Sequence, residues 1–161
     1  MKRIIVIVVL FAISSSVNAQ SFSVRELTNL VYKNWDDFDT YVTAKGYSYN
    51  EAKKDSFYES RIYSLHRSDY ERYAGYWISF YKYLDHQTMI SWQTSNQKYY
   101  LDFKAQLIAE GFKFIKSEIV KGNNVNTYVT GNKEITLVSG KTKANDGREV
   151  NVYEISLTLK R

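Results

Sequence analysis

Two histidines, His66 and His86, are the side chains of this chain best suited to acid–base or metal chemistry. The stretch SLHRSD, residues 64–69, sets a serine, a histidine and an aspartate close together. A hydrolase needs such groups to converge as nucleophile, base and orienting acid. Along a strand neighbours point to opposite faces, so Ser64 and His66 share a side while Leu65 does not. Nearness in sequence therefore assembles no triad, and no G-x-S-x-G elbow occurs. A metal site would want both histidines with Asp69, Glu71 or Asp85. They lie twenty residues apart, with no H-x-H or H-E-x-x-H spacing. The carboxylates Asp36, Asp37 and Asp39 read as the start of a helix, where negative charge meets the positive end of the dipole. No phosphate-cradling or dinucleotide pattern of glycines is present. With no cysteine anywhere, thiolate metal sites, redox motifs and cysteine nucleophiles are excluded. The reading is of a non-enzymatic protein with no cofactor and no metal site.

The unusual feature is aromatic. The chain holds fifteen tyrosines, and residues 73–94 read YAGYWISFYKYLDHQTMISWQT. In strand geometry Tyr76, Ile78 and Phe80 share one face, and Trp77, Tyr81 and Tyr83 share the other. In the next strand Ile90 and Trp92 alternate with Met89 and Ser91. One side supplies core. The other is either covered or an open aromatic platform, because Tyr and Trp offer large contact area at low entropic cost and Arg strengthens it. The expected anchors are Tyr63, Trp77, Tyr81 and Trp92, with Arg61 beside them.

These side chains need elements to hold them. Ser23-Val24-Arg25-Glu26 fits a capping box, and Val24, Leu27, Leu30 and Val31 recur at helical spacing over about 24–32. Asn34 suits the cap of a second helix with Trp35, Phe38 and Val42 on its apolar stripe, ended by Gly46. The same design returns sixty-five positions later. Phe103, Leu107, Ala109, Gly111, Phe112 and Phe114 match Phe38, Val42, Ala44, Gly46, Tyr47 and Tyr49. Each glycine stops a helix and lets an aromatic strand turn back against the stripe just made. Strands are predicted at 47–53, 57–66, 75–84 and 88–94, then at 112–120, 125–130, 133–140 and 149–160, with a polar loop HRSDYERYAG after the second. In the last strand Tyr153, Ile155, Leu157 and Leu159 take one face and Val152, Glu154, Ser156 and Thr158 the other. The expected fold is α+β: two tandem repeats, each a helix followed by an antiparallel sheet of about four strands, with helices on one face. Residues 20–97 would form the first repeat, with an extra N-terminal helix, and 98–161 the second.

Residues 1–19, MKRIIVIVVLFAISSSVNA, have the layout of a secretory signal peptide. Lys2 and Arg3 precede a short apolar run, and small residues lead to a cleavage site after Ala19. Cleavage would leave 142 residues, with 20 Lys and Arg against 17 Asp and Glu, so a net charge of +3 rather than +5. Those charges are interleaved, which does not suggest a nucleic-acid partner. No later stretch is long and apolar enough to be a transmembrane helix. A periplasmic or secreted location follows. The expected function is an exported binding module acting on a cell-envelope protein or peptide through an aromatic sheet face. The alternatives are a small envelope hydrolase or carbohydrate-active protein using His66 or His86, or a structural envelope protein.

The leader, the tandem helix-and-four-strand units and the aromatic strands resemble those of β-lactamase-inhibitor-protein-like and PepSY-like exported bacterial proteins. The segment from Asp36 to Tyr47, DDFDTYV-x-x-KGY, is also similar to one in a group of uncharacterised exported proteins of Gram-negative bacteria. The resemblance implies the same α+β architecture and carries over no functional residue.

Overall fold

The computed structural model describes residues 21–65, 75–143 and 147–160. Residues 1–20 and 66–74, and with them the expected leader, His66 and the remainder of the SLHRSD stretch, lie outside these residues. The order is α1 (Val24–Leu30), α2 (Trp35–Ala44), β1 (Ser48–Lys54), β2 (Tyr58–Leu65), β3 (Tyr76–Tyr83) and β4 (Thr88–Thr94), then α3 (Gln97–Ala109), β5 (Lys113–Val120), β6 (Asn123–Thr130), β7 (Lys133–Lys143) and β8 (Glu149–Leu159). All eight strands form one antiparallel sheet in the order β1-β2-β3-β4-β8-β7-β6-β5. The architecture is α+β.

The helix starts follow the chain's own caps. Ser23 accepts from the Glu26 amide while the Glu26 carboxylate accepts from the Ser23 amide at 2.7 Å, completing the capping box. Asn34 and Asn96 cap α2 and α3 by accepting from Asp37 N at 2.8 Å and Lys98 N at 2.9 Å. Both long helices stop in the same way. Gly46 and Gly111 have φ of 87° and 79°, a left-handed turn that costs glycine no Cβ clash. Gly46 N donates to Thr43 O and Tyr47 N to Val42 O, as Gly111 N donates to Ile108 O and Phe112 N to Leu107 O. Each is a Schellman stop. Three residues past each glycine the edge strand breaks register, between Tyr49 and Glu51 in β1 and between Phe114 and Lys116 in β5.

The core lies between the helices and one face of the sheet. Phe38 of α2 packs 4.6 Å from Phe80 and 5.7 Å from Tyr63, ring centre to ring centre. Phe103 of α3 reaches Trp92, and Tyr100 stacks on Tyr153 at 4.7 Å. Phe22, just before α1, touches both Tyr47 and Trp92 at 5.6 Å. The register carries one buried row across the strands: Tyr63, Ile78, Trp92, Ile155 and Leu137. A second runs Phe80, Ile90, Leu157, Ile135 and Tyr128. Among the described residues no helix is long and apolar enough to cross a membrane.

Candidate functional site

Period-two alternation sends every second side chain away from the helices, and no described helix packs on that second face. Its middle row is short and hydroxylated: Ser79, Ser91, Ser156, Thr136 and Thr127 lie opposite one another on β3, β4, β8, β7 and β6. At about 4.8 Å per strand such a row runs about 19 Å across the sheet. Side chains that are longer over β3 and β4, and at Glu154 and Glu134, flank it. One flanking row is Trp77, Gln93, Glu154, Val138 and Val125, and the other is Tyr81, Met89, Thr158, Glu134 and Val129. Over β3 and β4, tall rows on either side of a low one make a shallow trough that continues toward β8. Two depressions mark it. One, of about 410 Å³, is lined by Glu51, Ile62, Trp77, Tyr81, Gln93 and Glu154 among others. The other, of about 190 Å³, lies between Asn123, Val138, Gly140, Val152 and Glu154.

Glu154 borders both depressions, and its Oε1 accepts from Ser91 Oγ at 2.7 Å and Ser156 Oγ at 3.1 Å. A carboxylate oxygen that accepts from two hydroxyls is held in place by them. At one end of the trough Tyr58, Tyr81 and Tyr83 form a ring cluster, with Tyr58 at 5.6 Å from Tyr81 and 5.8 Å from Tyr83. Burial raises the pKa of both Tyr81 and Tyr83, which favours their neutral hydroxyls. The Asn123 side chain folds over Gly140, where a Cβ would meet its Oδ1 and make that side chain swing aside.

The five expected anchors divide between the two faces. Trp77 and Tyr81 stand on the open face, half-buried. Tyr63 and Trp92 are fully buried under the helices, which corrects their placement on the platform. The correction has one cause, the sheet register: Tyr63 and Trp92 share the row of Ile78, and Trp77 shares the next. Burial pushes the Tyr63 hydroxyl up to about 12, as suits a core tyrosine. Arg61 also belongs to the helix face, with its guanidinium 5.0 Å from the Trp35 ring. Sequence reasoning missed Tyr58, Glu154 and the hydroxyl row as site features. The alternation of β8 had already put Glu154 and Ser156 opposite the core, but only strand order sets them beside Trp77 and Ser91. His86 is exposed in the β3–β4 turn with φ of 67° and lines a separate depression with Val31, Lys33 and Leu159. Among the described residues no group of three His, Cys, Asp or Glu could hold a metal ion.

The helix side holds a larger cavity, about 580 Å³, lined by Phe22, Glu26, Lys45, Tyr99, Asp102 and Gln106 among others. Its charges are already paired. Lys45 Nζ lies 2.7 Å from Glu26 Oε1, Tyr41 donates to the same oxygen at 2.6 Å, and Lys98 meets Asp102 at 2.5 Å. Burial opposes ionisation of Glu26, but the hydrogen bonds from Lys45, Tyr41 and Ser23 outweigh it and bring its pKa to about 2. That network ties α1 to α2 and is explained as structure. Comparison with protein-family models, curated proteins and solved structures finds no match.

Proposed function

We propose that this chain is an exported, non-enzymatic binding module that engages a protein or peptide of the cell envelope through the open sheet face. The observation that supports this most is the trough itself, a hydroxyl-floored strip between an aromatic end and a central carboxylate. Rigid aromatic side chains, hydroxyl donors and one fixed charge are the ingredients of surface recognition rather than of bond-breaking chemistry. Trp77, Tyr81 and Tyr58 are the anchors, and Glu154 favours a partner segment bearing lysine or arginine. The exported location rests on the leader-like residues 1–19.

We also infer that the sheet is assembled from two copies of one helix-and-four-strand unit, in keeping with the inhibitor-like and PepSY-like resemblance. Several features repeat at the same offset of sixty-five: the Schellman stops, the register breaks, and the edge-on ring pairs Tyr49–Tyr63 and Phe114–Tyr128. The β4–β8 register is consistent with it, because Trp92 opposite Ile155 and Ile90 opposite Leu157 exchange under that offset.

The test is capture of envelope proteins by the wild-type chain, a Trp77→Ala/Tyr81→Ala variant and an Ile108→Ala control on the helix side. Partners recovered by wild type and control but reduced at least tenfold with the double variant are expected, as for loss of two hot-spot anchors. Equal recovery by all three overturns the site.

A further inference from the structure

We propose that two copies of this chain pair through the edge strand β5, antiparallel, to make one continuous sheet. The strand order ends at β5, so on its outer side the alternate N–H and C=O groups have no strand partner among the described residues. Such an edge is a template for another strand. Every residue of β5 is exposed, including Phe114, Ile115, Ile119 at 71% and Val120. Ile108, at the end of α3, adds a further exposed apolar side chain, at 73%.

The side chains of β5 are self-complementary about Ser117. In an antiparallel pair centred there, Lys116 stands opposite Glu118 of the second copy, and Glu118 opposite its Lys116. Both residues lie on the open face, as their pairing with Thr127 and Val125 shows. Within one chain they already meet at 2.9 Å, so their charged ends lie in reach of the same strip of surface. On the helix face Ile119 stands opposite the Phe114–Ile115 bulge of the second copy, where two residues facing one restore the alternation. Apolar pairs then flank the charged pairs twice.

Charge also selects the closed arrangement over an open one. The other edge, β1, has Glu51 and Lys53 where β5 has Lys116 and Glu118. Pairing β1 of one copy with β5 of the next at the corresponding register sets Glu against Glu and Lys against Lys. That is the head-to-tail contact that would grow into a filament. Self-pairing of β1 escapes the repulsion, but that edge offers only Tyr49 as an exposed large apolar group. An eight-residue edge is a small interface, so the dimer is expected to be concentration-dependent.

The experiment is sedimentation velocity on the intact purified chain from about 1 to 500 µM, a range spanning weak to moderate affinity. The wild type is expected to move from monomer to dimer. Lys116→Glu and Glu118→Lys singly are expected to raise the dissociation constant on the order of tenfold or more, since each sets like charges opposite twice. The Lys116→Glu/Glu118→Lys double variant is expected to restore it. Far-UV circular dichroism checks that each exposed substitution leaves the fold intact. A monomer throughout leaves the edge to some other protein's strand and overturns the proposal. So does a dimer indifferent to both charge reversals, or single variants that the double one fails to rescue.

Discussion

Tyr63 and Tyr128 each receive an edge-on ring from the neighbouring edge strand, Tyr49 at 5.7 Å and Phe114 at 5.5 Å. Both tyrosines are buried, and both edge rings are 55% exposed. Beyond that pair the two halves diverge. Phe38 packs on Tyr63 and Phe80 within its own half, whereas Phe103 leans across the seam to Trp92. The first half also has Phe22 over it, against Tyr47 and Trp92, and α1 is tied to α3 by Gln106 Oε1 accepting from Val24 N at 3.2 Å. The second half keeps Ile108, Phe114, Ile115 and Ile119 in solvent. Similar junctions therefore produce different surfaces. A local stop is set by a few residues, while burial depends on how many elements the chain can lay over a sheet.

Substitution at the seam tests that difference most severely. Trp92 is fully buried against Phe22 and Phe103, and its positional counterpart Leu157 lies in the adjacent strand. Trp92→Ala is expected to destabilise by about 3–5 kcal/mol and Leu157→Ala by about 2–4 kcal/mol, measured by denaturant titration. A loss at Trp92 smaller than that at Leu157 would mean that the contacts with Phe22 and Phe103 add nothing.

Acid titration reaches the anchor that only the first half has. The folded pKa of Glu26 is about 2 against an ordinary 4.5. A depressed carboxylate contributes stability that is full above its unfolded pKa and is lost as pH falls through its folded one. Glu26 is partly exposed, so solvent screening cuts the contribution to about 1–2 kcal/mol. Thermal melts of wild type and Glu26→Gln between pH 7 and 2 are expected to differ most above about pH 4.5 and to converge toward pH 2. A difference independent of pH would remove the charge network as the cause.

The finest distinction, between Gly46 and Gly111, bears on the shared junction. Gly46→Ala and Gly111→Ala should each cost about 1–2 kcal/mol, the penalty of a Cβ in a left-handed turn. A Cβ at Gly46 meets Leu65 Cδ1 at 3.4 Å, and one at Gly111 meets nothing within 4 Å, so Gly46→Ala is expected to be slightly the worse. A harmless Gly111→Ala would separate the two stops that the backbone makes look alike.

Much of this was readable in the chain because it is local. Ser23 with Glu26, Asn34, Gly46 and Gly111 mark helix ends through bonds spanning three to five residues. Strict alternation in β8 separated Tyr153, Ile155 and Leu157 from Glu154 and Ser156, and burial follows that division. The assignment of Tyr63 and Trp92 to the platform failed because alternation gives two faces per strand without saying which face of one strand matches which of the next.

Caps, turns and two-fold alternation were determined by the amino-acid sequence alone, since each depends on neighbours within a single turn or strand. The pairing of β4 with β8, and so the meeting of Trp77, Ser91 and Glu154 on one surface, was decided only by tertiary structure. Ser91 and Glu154 stand sixty-three residues apart and are joined by one hydrogen bond, whose formation waits on the register of the whole sheet. The partly uncovered second half has the same origin. Its exposed apolar residues look like core in sequence, and that no second helix among the described residues is laid above them is a property of the assembled layers.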